Sequence, residues 1–451
     1  MPNPPPNTQY TPPPDDDAIP VAPTTTPQKQ KSPDHSQLAA RWLMRNRHAA
    51  FGLGEWRRYK DGIYPVVERD IIKQEMKHVI DQAKPEGVRN SAGTVESVME
   101  LARVDIVVPM EKWDADPDYL PCKNGILHIP STSLLPHTPN VYFTSQLPFD
   151  YDALADCPAF KKALERIPEE TPFLQEFAGY CLTIDTSHEI AVWLQGVPGS
   201  GKSTILEGFK AMLGSRSAKL GLMDIERSKF ALTNLPGKTL IYSAEQPESF
   251  ITASYIVNEI ISGETITVER KYYDAIDIIP HTKIMWAMND LPRVSSANDG
   301  IMRRVKVIRF PALHENKKNI DLKEQIKTEG AGILNWALEG LARLQARGKF
   351  EIPQCVQDAT KDFQEHNDIP KMFLDDIDAR IDLLDKNCRT PSQYLYDQYD
   401  LWCKRNGHKS LSSTRMADEW KRLGFEKVKT AQGMFWVGVE VSLYTSASNV
   451  P

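Results

Sequence analysis

Gly196-Val197-Pro198-Gly199-Ser200-Gly201-Lys202-Ser203 decides how this chain is read. The octapeptide fits the phosphate-binding loop pattern of glycine, four residues, glycine, lysine and serine. Each position has a chemical reason. Glycines let backbone amides turn inward around phosphate oxygens, and Gly196, Pro198, Gly199, Ser200 and Gly201 form that cradle. Lys202 supplies a point charge to the β- and γ-phosphates, and Ser203 offers a hydroxyl to Mg2+. Before the loop, Ile190-Ala191-Val192-Trp193-Leu194 is an apolar run suited to a buried strand. After it, residues 204–213 carry apolar side chains at helical spacing. The loop and Thr204 would therefore sit at a helix N-terminus, where the dipole favours anions. A glycine-serine linker is the competing reading, and the apolar segments on both sides argue against it.

The chain has 451 residues, room for two or three domains with sizeable cores. Its composition, 41% hydrophobic and 25% charged, is that of an ordinary water-soluble protein. A net charge of −6 excludes a uniformly basic nucleic-acid coat and leaves room for local basic surfaces. No apolar stretch approaches the roughly 18 residues of a membrane span, and the N-terminus lacks a secretory pattern. Cysteines 122, 157, 181, 355, 388 and 403 are scattered, without C-x-x-C spacing. They read as reduced thiols in a cytoplasmic protein, not as a zinc site.

Residues 1–36 hold eleven prolines, triple Asp and triple Thr runs and almost no apolar side chains, so a disordered tail is expected there. From 37 to 185 the pattern is that of a small mixed α/β domain. It begins with a hairpin over 56–67 turning at Asp61-Gly62 and a helix over 71–83. A turn at Lys123-Asn124-Gly125 follows, then helix over 159–183. An ATPase core is expected from 186 to about 312, with a helical trailer to about 350. A third unit spans 368–445.

Hydrolysis of a nucleotide needs more than a cradle: a carboxylate for water or metal, a polar sensor, and usually an arginine. Residues 239–244 form a strand-like run ending at Glu245, the candidate acid; Glu248 is a weaker one. Residues 283–288 form a second apolar strand ending at Asn289, which suits a sensor of the γ-phosphate. In a parallel sheet both residues fall at the ligand-binding edge. Arg303-Arg304, ahead of a strand over 305–310, could reach a neighbouring subunit's γ-phosphate.

In this order the motifs resemble a known family. They are the loop, Ser243-Ala244-Glu245, Ser262-Gly263-Glu264-x-Ile266-x-x-x-Arg270, Lys283 with Asn289-Asp290-Leu291-Pro292, and Gly300 with Arg303-Arg304 and Phe310. The set resembles a superfamily 3 helicase of the phage/plasmid DNA primase and poxvirus-type NTPase lineage. Upstream, Asn124-Gly125-Ile126-Leu127, Pro148-Phe149-Asp150-Tyr151, Cys157-Pro158 and 174–180 resemble its pre-helicase domain. The resemblance implies an α/β fold: an AAA+-type P-loop ATPase core with an N-terminal mixed α/β domain and a C-terminal winged-helix-like domain. It implies a ring, usually a hexamer, that moves on single-stranded and forked DNA in phage, viral or mobile-element replication, in the host cytoplasm. ATP and Mg2+ would be held by Lys202 and Ser203, with Glu245 as Walker B acid, Asn289 as sensor 1, and Arg303 or Arg304 as trans-acting finger. Ala244 and Gln246 flank Glu245 where many relatives carry adjacent acids, so the metal contact is expected to run through Ser203 and water.

Between acid and sensor strands, Arg270-Lys271-Tyr272-Tyr273 sets cations beside aromatics, as a strand-tracking loop requires. The resemblance places a pore-facing hairpin in this interval. At the C-terminal end, helices over 370–381, 392–404 and 412–423 and strands over 425–428 and 434–439 suggest a winged helix. Arg415, Lys421, Arg422, Lys427 and Lys429 concentrate positive charge there for duplex DNA. The competing reading is a small packing domain with a solvated face.

Three functions compete. A replicative helicase accounts for every motif. An ATP-dependent origin-binding initiator or loader would use ATP for assembly without unwinding. A small-molecule P-loop kinase shares only the loop. No paired-acid metal site is evident between the tail and the loop, so primers are expected from a separate primase or replication protein.

Overall fold

A computed structural model describes residues 32–228, 230–246, 250–251, 254–270, 273–294, 299–312, 320–377, 379–408 and 410–441. The expectation for the tail thus falls almost wholly outside the described residues, as does Glu248. The chain divides into two compact units, residues up to 45 with 70–104, and 46–69 with 105 onward.

The first unit is helical: α1 (His35–Arg45), α2 (Arg69–Gln82) and α3 (Ala92–Asp105). Ile72, Met76, Val79 and Ile80 of α2 recur at helical spacing and are buried, as are Leu38, Ala39 and Trp42 of α1. Arg41 clamps Glu86 with two hydrogen bonds of 2.7 Å.

The second unit opens with strands β1 (Ala49–Gly52) and β2 (Glu55–Arg58), a hairpin that the sequence reading did not include. The expected Asp61-Gly62 turn is present: both residues have positive φ, and Lys60 and Ile63 exchange backbone hydrogen bonds of 2.8 and 3.1 Å. The backbone of segment 46–69 bonds to second-unit residues, Phe51 to Ile106 and Tyr64 to Phe143. A meander follows: β3 (Tyr119–Cys122), β4 (Gly125–His128) and β5 (Ser133–Leu135). The segment expected to be helical over 159–183 holds two helices, α4 (Pro158–Leu164) and α5 (Thr171–Tyr180). Pro168 explains the break, because proline biases the residue before it away from helix.

The centre is a five-stranded parallel sheet in the order β14-β6-β12-β8-β7. Its members are β6 (Ala191–Gln195), β7 (Ser217–Lys219), β8 (Leu240–Ser243), β12 (Lys283–Met288) and β14 (Val305–Arg309). Both faces are covered, so the inner strands β6 and β12 are apolar over most of their length. Val192, Leu194, Met285 and Ile308 enter one core, and Ala191, Trp193, Trp286 and Val307 enter the other. Around the sheet lie α6 (Lys202–Leu213), α7 (Leu222–Arg227), α8 (Ser254–Ser262), α9 (Asp299–Arg304), α10 (Ile320–Thr328), α11 (Gly330–Arg347) and α12 (Gln354–Glu365). Helices α5 and α11 pack backbone to backbone, since a Cβ on Gly340 would lie 2.2 Å from the Gln175 carbonyl oxygen. Two small ladders stand apart from the sheet: β9 (Phe250–Ile251) with β13 (Arg293–Val294), and the antiparallel hairpin β10 (Ile266–Arg270) with β11 (Tyr273–Ile278).

The C-terminal elements are α13 (Ile369–Asp376), β15 (Arg380–Ile381), β16 (Arg389–Pro391), α14 (Ser392–Arg405), α15 (Ser413–Arg422), β17 (Glu426–Thr430), β18 (Gly433–Val437) and β19 (Val439–Glu440). Helix α13 ends earlier than the expected 381, and β15 pairs with β19 there. Strands β16 and β17 flank β18, and Phe373, Tyr399, Trp420 and Trp436 fill the core.

Candidate phosphate-binding site

In a parallel sheet all carboxyl ends lie at one edge, and three expected site residues follow such ends. Gln195 of β6 is level with Met288 of β12, so Gly196 and Asn289 are neighbours. Ser243 of β8 is level with Trp286, which brings Glu245 to the same edge. Gly196 donates to the Met288 carbonyl at 3.3 Å, and Phe310 donates to Gln195 at 2.7 Å. A side chain at Gly196 would meet the Phe310 carbonyl oxygen at 2.8 Å, so the loop turns where only glycine fits. Gly201, with φ 108°, turns it again into α6, and Thr204 bonds back to the Gly201 carbonyl at 2.9 Å.

Lys202 lies beneath this turn, 6% exposed. Its Nζ donates to the carbonyl oxygens of Gly196 and Val197 (3.0 Å for the latter), to Ser200 Oγ at 3.4 Å and to Asn289 Oδ1 at 3.3 Å. All these partners are neutral. Burial lowers the Lys202 pKa, and an anion brought to it would supply the missing counter-charge. Asn289 and the loop lysine, 87 positions apart in sequence, are thus joined directly. Glu245 is exposed at the mouth, its carbonyl accepting from Ser243 Oγ at 2.9 Å. Pro198 and Gly199 are exposed at the crest, and Ser200 is buried.

Two cations that sequence reasoning missed flank the loop. Arg166 Nη1, from the break between α4 and α5, donates to the Ser200 carbonyl at 3.2 Å. Lys323 Nζ, on α10, donates to Ser203 Oγ at 2.8 Å. Neither carries a motif signal, because each arrives by tertiary packing. Among the described residues no group of three or more His, Cys, Asp or Glu could hold a metal. A hydroxyl from Ser203 and a carboxylate from Glu245 are the donor types Mg2+ takes, since it binds few protein ligands and draws the rest from phosphates and water.

The two arginines differ. Arg304, 8% exposed, is held through Nε to Glu189 Oε2 at 2.8 Å and Nη2 to Ser262 Oγ at 2.9 Å. It also reaches Asn258 Oδ1 at 3.4 Å and the Gly300 carbonyl at 3.3 Å. Arg303 has a side chain 69% exposed and only a 3.7 Å approach to Glu189. Both precede the amino end of β14, whose Val305 is level with Ala191. They therefore lie a strand length from the cradle, roughly 16 Å at 3.3 Å per residue.

Of the expected DNA contacts, Lys271 and Tyr272 lie outside the described residues, and for Arg270 only the backbone is described, paired with Tyr273 at the hairpin tip. On α15, Arg415 is exposed and its amide caps onto Ser412 Oγ at 3.4 Å. Lys421 is exposed with a 3.3 Å contact to Asp418, whereas Arg422 is bound by Asp368 and Glu419. Among the described residues no helix is long and apolar enough to cross a membrane.

Residues 38–169 match a family described as D5 N terminal like, and residues 194–304 match a family of unknown function (DUF5906). A protein of Acanthamoeba polyphaga mimivirus named "Putative helicase L207/L206" is 24% identical over 284 residues. That alignment covers 57% of this chain, which spans only 29% of the mimivirus protein. Among solved structures, apo forms of the NrS-1 C-terminal region superpose with TM-scores of 0.50 and 0.51 at 10% identity. They cover 91% and 90% of this chain and all of theirs, a likeness of fold.

Proposed function

We propose that this chain is a member of the phage and viral superfamily 3 helicase–primase family and an ATP-driven motor acting on single-stranded and forked DNA. The observation that carries the reading is the buried Lys202, whose hydrogen-bond partners among the described residues are all neutral, the Asn289 carboxamide at the carboxyl edge of a parallel sheet included. Strand β12 lies between β6 and β8, which sets the sensor between loop and acid, as an AAA+-type ATPase requires.

Lys202 binds the triphosphate and Asn289 orients its terminal group. Ser203 and Glu245 hold Mg2+, which when bound neutralises charge on the phosphate oxygens. Glu245, exposed at the mouth, positions the attacking water. Arg303 completes the site of an adjoining protomer in a ring, and Arg304 with Glu189 braces the segment that presents it. The exposed side chain of Arg303 supports this division. The β10–β11 hairpin, standing outside the central sheet, suits a loop that tracks a strand. The C-terminal helices and three-stranded sheet suit a winged helix, with Arg415 and Lys421 toward duplex DNA.

Strand displacement on forked DNA with and without ATP, alongside sizing of the assembly, tests the reading. DNA-stimulated hydrolysis, lost in Lys202→Ala and Glu245→Gln, supports it. A monomer whose turnover ignores DNA overturns it. Selective duplex binding with no displacement would favour the origin-binding loader, for which the C-terminal elements are the supporting observation.

A further inference from the structure

At the opposite edge of the sheet from the cradle, a partly enclosed cavity of about 250 Å3 borders the residues that lead into β8 and β12. Its walls are mostly apolar, with Trp113, Leu235 and Ile278 among them, but Arg216, Lys238 and Thr239 line it as well. Arg216 is 4% exposed, and its Nη2 reaches the Leu182 carbonyl at 3.4 Å. Among the described residues its Nε has no hydrogen-bond partner, and neither has the hydroxyl of Thr239, which is 3% exposed. Native interiors rarely leave such groups unsatisfied.

The nearby carboxylates do not make up the deficit. Asp114 lies close enough to act on both Arg216 and Lys238, but its oxygens accept from Thr144 N at 2.9 Å and Thr144 Oγ1 at 2.5 Å. Glu111 is exposed at the rim. One engaged carboxylate faces two cations. Burial pushes the pKa of both Arg216 and Lys238 down, a sign that each lacks a full counter-charge. A buried cation is ordinarily paired, because leaving water without a partner is costly.

We propose that this cavity binds a small organic carboxylate with a flat apolar body. The carboxylate accepts from Arg216 and Thr239, and the body lies against Trp113, Leu235 and Ile278. A cavity of about 150 Å3 admits benzene, so the larger volume here accommodates a ring with a short acid arm. The proposal is independent of the nucleotide reading, since none of these residues belongs to the cradle.

Calorimetric titration of the full chain, without nucleotide, tests it with indole-3-acetate as the probe and indole-3-acetamide as its neutral counterpart. The acid should bind with a Kd below about 1 mM and the amide at least about tenfold more weakly. Arg216→Met should weaken the acid about tenfold or more. Thr239→Val, which keeps the shape of the wall, should weaken it about fivefold. Ala115→Trp, placed at the exposed rim, should block binding while leaving the interior intact and covers the case in which Arg216→Met does not fold. Equal affinity for acid and amide overturns the proposal. So do displacement by equimolar inorganic phosphate, binding retained in Ala115→Trp, and no heat from the acid at millimolar concentration.

Discussion

Each edge of the central sheet holds a buried lysine with neutral hydrogen-bond partners, and only one of the two sits in a place that a ligand can enter. Lys202, at the carboxyl edge, lies beneath a glycine turn whose crest is exposed. Lys283, at the amino edge, is 2% exposed and donates to the carbonyls of Thr183 at 2.6 Å and His281 at 3.1 Å, with the Tyr180 ring 4.6 Å away. Burial alone therefore does not mark a functional cation. Backbone carbonyls surround both, and what separates the two is the cover: an exposed glycine turn over one, packed residues and an aromatic face over the other.

The largest expected effect breaks the contrast at the cradle. Lys202→Ala should reduce ATP hydrolysis by about a thousandfold, measured as steady-state phosphate release, because among the described residues Lys202 is the cation bonded to both the loop and Asn289. Lys283→Met, of similar volume, should leave nucleotide affinity within about threefold. Equal losses in the two would show that both lysines act on the nucleotide.

The arginine pair sharpens the contrast between exposed and buried cations. Arg303→Ala should lower hydrolysis about a hundredfold or more with an unchanged melting temperature, and mixed rings should lose activity more than proportionally. Arg304→Ala should cost about 2 kcal/mol in denaturant unfolding. That figure is below the range for a fully buried pair because Glu189 remains 40% exposed to solvent. A destabilised Arg303 variant with a stable Arg304 variant would exchange the two roles.

A smaller effect is expected at the cation that sequence reading missed. Lys323→Ala should weaken nucleotide binding about tenfold, measured by fluorescence titration with a labelled analogue, since its ammonium lies 2.8 Å from Ser203 Oγ. Unchanged affinity would make Lys323 a brace for α10 only.

The sequence exposed the parts of the site that depend on local order. Loop, strand and helix follow one another without interruption, so Gly196 to Thr204 and their setting could be read directly. Asn289 and Glu245 were legible because each ends an apolar strand, even though the pairing of β6 with both β12 and β14 was not. Arg166 and Lys323 were invisible: one sits in a helix break and the other 120 positions beyond Ser203, and only packing brings them to the loop. Pro168 did signal the division of α4 from α5, and apolar periodicity on both sides hid it. The separation of Arg303 from Arg304 needed the third dimension, because Glu189, which secures Arg304, lies 115 positions away.

The amino-edge lysine yields the smallest effect and a defined sign. Burial lowers the Lys283 pKa to about 7, opposed by the nearby Cys181 and Asp185 and assisted by Arg216. In the unfolded chain the same ammonium titrates near 10.4. Between these values the unfolded state holds a proton that the folded state has released, so this lysine's contribution to stability rises with pH across that window. The slope approaches about 1.4 kcal/mol per pH unit above the folded pKa. In the folded protein the Cys181 thiol, pushed up to about 12 by burial, stays protonated across the window, and its titration in the unfolded chain is common to wild type and Lys283→Met and cancels between them; the His281 pKa is lowered, away from the window. Urea unfolding at pH 7.5 and 9 should show the wild type gaining stability relative to Lys283→Met by about 1 kcal/mol or more. Parallel pH profiles would mean that Lys283 keeps its proton in the folded protein, with its charge satisfied by the carbonyls and the Tyr180 face. The distinction drawn between the two edges would then rest on access alone.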